Sequence, residues 1–166
     1  MNRLLVEDFQ KQSSNTKVLA TEMEILRQKF TFPLPKAYVD FMTTYGAVLF
    51  NYPLPNAVSV DFYQEKQVAS LLSVLEPLDV YEVYLYLKED SYYGGEAIIQ
   101  SAMIPIIDVV GGDDDDHILI NLEDGSIWIN FFGTSIASDK NTFGFIASSF
   151  DTFLEKIDDY ENLINE

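Results

Sequence analysis

His117 to Phe132 reads HILINLEDGSIWINFF. Apolar residues flank Asp124-Gly125, a dipeptide strongly preferred in tight turns between antiparallel strands. The pattern predicts a hairpin with Ile118 to Leu122 on one arm and Ile127 to Phe132 on the other. A two-residue turn would pair Ile118 with Phe131, Ile120 with Ile129 and Leu122 with Ile127. That face is wholly apolar and has to be core. The other face would pair His117 with Phe132, Leu119 with Asn130 and Asn121 with Trp128. It is mixed, and half exposure is expected of it.

Outward from the hairpin, Ile104 to Val110 is apolar enough for another strand. Val48 to Phe50 and Val58 to Phe62 read as short strands around a turn at Pro53 to Asn56. Val68 to Leu75 fits a strand or a short helix. Asp79 to Leu87, DVYEVYLYL, has strand-favouring residues but a helix-favouring place between Pro77 and Lys88-Glu89-Asp90. Ser91 to Gly95 is a loop. Toward the N-terminus, Thr21 to Glu24 has the form of a capping box, with Met23, Leu26 and Phe30 as the stripe of the helix behind it. Pro35 suits the first turn of a second helix, along which Leu34, Tyr38, Phe41, Met42 and Tyr45 recur at helical spacing until Gly46 stops it. The C-terminus reads as a helix from about Ser149, with Phe150, Phe153, Leu154, Ile157 and Tyr160 on one stripe. Helices, then strands, then a helix indicate an α+β fold. With no repeat or linker in view, 1–166 is expected to be a single domain.

The 166 residues suffice for a core without staples: a chain of this size buries roughly 70% of its unfolded surface. There is no cysteine, so disulfides, thiolate metal sites and a cysteine nucleophile are excluded. No apolar run approaches the roughly 18 to 20 residues of a membrane span. Glu7 and Asp8 interrupt the place where a signal peptide needs its apolar region. A soluble cytoplasmic protein is expected. Against 27 acids stand 10 bases, for a formal charge of −17. Nucleic acid and anionic membranes would be repelled, and a basic protein attracted.

The acids concentrate at Gly111 to Ile118, GGDDDDHI. Neighbouring carboxylates about 6 Å apart repel by roughly 0.7 kcal/mol in water. A metal ion, a basic partner, or no partner at all for a charged turn each fit this tract. It lacks the D-x-D-x-D-G spacing of a calcium loop, and alternate residues of an extended chain point opposite ways. His117 is the only histidine. Without partners it reads as structural or surface, and one histidine with no cysteine is a poor zinc set. No nucleophile elbow, phosphate loop or dinucleotide fingerprint is present. No catalytic residue, metal ligand or cofactor site is therefore assigned. Asp90 with Tyr92 and Tyr93 has the composition of a protein-binding loop, since aromatics supply contact area.

Three stretches taken together resemble the SUKH superfamily. Leu34-Pro35-Lys36-Ala37-Tyr38 through Phe41-Met42 with Tyr45-Gly46 resembles its opening motif. Ile104-Pro105-Ile106, then Gly111-Gly112-Asp113 and the strand Ile118 to Leu122, resembles its middle motif. Ile146-Ala147-Ser148-Ser149-Phe150 through Phe153-Leu154 resembles its closing helix. In order and spacing they cover roughly residues 20 to 158. The resemblance implies an α+β fold with a mixed or antiparallel sheet flanked by helices. It also implies a non-enzymatic binding protein: typically an immunity protein that neutralises a bacterial toxin such as a nuclease or deaminase. The alternative it implies is a regulatory scaffold of the cell-wall glucan synthesis type, binding host proteins. A hydrolase using acids or calcium is a third class. On the first reading, Gly111-Gly112-Asp113 is the turn into a core strand. Asp90, Tyr92, Tyr93 and Asp113, Asp114, Asp115 and Asp116 then face a basic toxin.

Overall fold

The computed structural model describes residues 3–16, 20–50, 55–62, 65–89, 99, 102–111, 116–130 and 143–165. Its first element, helix α1 (Arg3–Thr16), has no counterpart in the sequence expectations. Leu5 and Phe9, four residues apart, are its buried anchors. Phe9 meets Phe41 and Phe50 edge to face, each at 5.4 Å. Gln12 accepts from the Leu49 amide at 2.6 Å and donates to the Leu49 carbonyl at 2.9 Å.

Helix α2 (Ala20–Arg27) buries Met23 and Leu26, as their spacing predicts. Thr21 lies inside the helix, so it is not the cap expected of it. In helix α3 (Lys36–Tyr45) Pro35 is the N-cap rather than a first-turn residue, and Tyr38, Phe41 and Met42 are buried. Gly46 ends α3 with φ 79°, its amide donating to the Met42 carbonyl at 2.9 Å. Side chains on an L residue rarely allow that φ.

Strands β1 (Asn56–Phe62) and β2 (Glu65–Val74) form an antiparallel hairpin from Ala57 opposite Ser70 to Phe62 opposite Glu65. Val68 onward is therefore strand. Within 48–50 only Leu49 bridges to Ser73, so no separate strand forms there. Helix α4 (Pro77–Glu89) resolves DVYEVYLYL. Val80, Tyr84 and Leu87 are its buried stripe, at spacings that only a helix places on one face. Val80 N–H donates to the Glu76 carbonyl at 3.0 Å, which puts Pro77 where a helix needs no amide.

Strands β3 (Met103–Val109), β4 (His117–Asn121), β5 (Ile127–Asn130) and β6 (Phe143–Ala147) continue as antiparallel neighbours. β2 pairs with β3, and β6 returns to β1 through Asp61 opposite Phe145. The α+β expectation stands, with an antiparallel sheet. That sheet is not an open layer flanked by helices, however: β1 to β6 close on themselves like a barrel. Closure leaves fewer exposed strand edges. Gly144 permits it on the β6 side, because a Cβ there would overlap Val60 and stand 2.7 Å from the Phe62 ring. Pro105 sits at a register shift between β3 and β4, where its missing amide is tolerated.

The decisive hairpin forms with a different register. Ile118 opposes Ile129, Leu119 opposes Trp128 and Ile120 opposes Ile127. The turn is longer than two residues: Asn121 N–H donates to the Ser126 carbonyl and Gly125 N–H to the Asn121 carbonyl, both at 2.8 Å. Gly125 takes φ 77°. The Asn121 side chain accepts from the Glu123 amide, and Asp124 accepts from both the amide and the hydroxyl of Ser126. These local bonds favour the wider loop. The pairing slips by two residues, so every side chain keeps its face. Ile118, Ile120, Ile127 and Ile129 are all fully buried, as required. The opposite face is partly exposed at Asn121 and Trp128, near the turn, whereas His117, Leu119 and Asn130 are buried, and α4 packs against β3 beside them.

Helix α5 (Phe150–Lys156) starts where expected, with the Ser149 hydroxyl accepting from the Thr152 amide. The single long C-terminal helix does not form. Ile157 is extended, and the short strand β7 (Asp158–Asp159) pairs with Asn56 and Ala57 before helix α6 (Tyr160–Leu163) begins. Pairing to β1, with Tyr160 N–H donating to the Pro55 carbonyl at 3.1 Å, replaces the helical bonds of that turn. Between α3 and α5, Tyr38 and Phe41 meet Phe150 at 5.4 and 5.5 Å. The Tyr38 hydroxyl is buried there without a hydrogen-bond partner, and burial pushes its pKa well above the usual phenol range.

Candidate functional site

α4 carries Asp79, Glu82 and Tyr86 at i, i+3 and i+7, all exposed and on one stripe. Facing them are Asp108 of β3 and, at the start of β4, Asp116 and His117. Together they line a groove of about 710 Å³. Leu72, Leu75, Val83 and Val109 supply apolar lining.

The sheet register builds the strand wall. Ser73 opposes Asp108, and Asp108 opposes His117. Ser73 Oγ donates to Asp108 Oδ2 at 3.3 Å, and His117 Nε2 stands 3.2 Å from Asp108 Oδ1. The His117 amide donates to Asn130 Oδ1 at 3.3 Å. His117 is only 5% exposed, and its Nδ1 is buried without a partner, as is Asn130 Nδ2.

No described lysine or arginine pairs with Asp79, Glu82 or Asp108. On the other side of α4, Lys29 lies over the Tyr81 ring at 4.8 Å and Lys88, a residue of α4 itself, over Tyr84 at 5.4 Å. Phe30 packs edge to face on both tyrosines. α4 thus turns carboxylates to the groove and an aromatic, cationic face toward α2. Among the described residues no three acids or histidines come close enough to hold a metal ion. None of the described helices is long and apolar enough to cross a membrane.

Of the residues singled out from the sequence, Asp90, Tyr92, Tyr93, Asp113, Asp114 and Asp115 lie outside the described residues. Asp116 is described, and it is 6% exposed in the groove wall rather than on open surface. Gly111 takes φ 71° in the turn after β3, as the glycine there suggested. Asp79, Glu82, Tyr86 and Asp108 were not anticipated. Their signal is the helical spacing of the first three, which is legible only once 79–87 is known to be helix.

The SMI1/KNR4 family (SUKH-1) matches residues 18–156, well over half of the chain, and the chain belongs to that family. No curated protein and no solved structure matches it. Family membership supports a protein-binding domain of the immunity or regulatory kind, a family generally of non-enzymatic binding domains.

Proposed function

We propose that this protein is a non-enzymatic immunity protein of the cytoplasm, a single domain that binds a basic bacterial toxin and occludes its substrate site. The observation that carries the reading is the groove, where Asp79, Glu82 and Asp108 face one another across α4 and β3 with no described lysine or arginine paired to them. A chain of charge −17 attracts a basic partner at long range. An apolar-lined groove then offers that partner desolvated contact. Asp90, Tyr92, Tyr93 and Asp113 to Asp116 are proposed to extend this surface.

A pull-down from native lysate, washed at low and high salt, tests it. One dominant, basic, stoichiometric partner whose capture weakens with salt is the expected result. Several host proteins held regardless of salt would instead favour the regulatory scaffold.

A further inference from the structure

The geometry points to an arginine side chain of the bound protein as the occupant of the groove between α4 and β3. This rests on the protein-binding reading and names what the partner has to present.

The ionisable groups of the walls offer acceptors. Asp79, Glu82 and Asp108 are carboxylates, and no described lysine or arginine pairs with them. An occupant has to bring several N–H groups and positive charge. The carboxylates come from two elements, helix on one side and strand on the other, and no three of them converge as a metal ion requires. A guanidinium suits this arrangement because its five N–H donors spread over a planar fork. An ammonium concentrates three donors at one point. Leu75, Val83 and Val109 give the aliphatic stem an apolar surface.

The test is a titration of the full chain, labelled with ¹⁵N, using three probes: the N-acetyl methylamides of arginine, lysine and citrulline. The arginine probe should shift amides at 79–86, 108–109 and 116–117, saturating at roughly millimolar concentration. The lysine probe should bind about fivefold more weakly, and citrulline, uncharged, should not bind. The double variant Asp79→Asn with Glu82→Gln should weaken the arginine probe by about tenfold. Both residues are exposed, so the remaining spectrum should report an intact fold. Equal shifts from arginine and lysine, or shifts scattered over the acidic surface, would overturn the assignment. A captured partner separates the two readings. If it holds the double variant with unchanged Kd, the arginine assignment falls and the protein-binding function stands. If the arginine probe seats in the groove but no partner is captured, the reverse holds.

Discussion

Asp124 and Asp116 stand just beyond the two ends of β4, and their surroundings differ. Asp124 is largely exposed, yet its Oδ1 accepts from the Ser126 hydroxyl at 2.5 Å and the Ser126 amide at 2.9 Å. Trp128 Nε1 in turn donates to Ser126 Oγ at 2.7 Å. These bonds, the side-chain one foremost, hold the Asp124 carboxyl below the usual carboxylate range. Asp116 is buried beside an imidazole with an unpartnered nitrogen, in a wall facing the carboxylates of α4. One acid closes a turn on itself; the other is buried in the wall of a groove shared with the carboxylates of α4. Acid count alone does not separate the two, whereas burial and surroundings do.

The largest effect should come from the dry face between them. Ile120→Ala removes a fully buried side chain and should lower stability by about 2–5 kcal/mol in urea unfolding. A loss under about 1 kcal/mol would mean that this face is not core. Asp124→Ala should cost on the order of 1 kcal/mol, since it deletes the acceptor of the turn. Its pH dependence sharpens the contrast. A carboxyl held low stabilises the fold above its ordinary pKa and loses that contribution as pH falls through the lowered value. The gap between wild type and Asp124→Ala should therefore be full at neutral pH and close on acidification. A gap independent of pH would remove Asp124 from the turn's stability.

Tyr38→Phe asks whether any orphaned polar atom marks function. The Tyr38 hydroxyl is orphaned in the core between α3 and α5, away from the groove. Stability should be unchanged or up to about 1 kcal/mol higher, because an unsatisfied buried hydroxyl is removed. Partner binding should not move, and a loss of binding would break the link between the groove and recognition. Asp79→Asn with Glu82→Gln should alter stability least, within about 0.5 kcal/mol, while it weakens partner capture. A large drop in melting temperature would make those acids structural.

The arms of the central hairpin could be read from alternation, and a two-residue slip left every face as read. The turn width could not, because Asn121, Asp124 and Ser126 compete for the same backbone groups through local bonds that the Asp-Gly rule ignores. α1 escaped notice because Leu5 and Phe9 are its only buried anchors among the side chains described. The site was less legible. Asp116 was singled out, but Asp79, Glu82 and Asp108 look ordinary until α4 lies against β3.

By itself, then, the sequence determined the apolar faces, the α+β order, the family motifs and the acidity, since these follow from periodicity and composition. Tertiary structure decided the closure of the sheet through Gly144, the break at Ile157 where β1 recruits Asp158 and Asp159, and the groove itself. Each of those depends on residues far apart in the chain meeting across strands or helices, and local pattern carries no record of which distant backbone will offer a hydrogen bond or a facing charge.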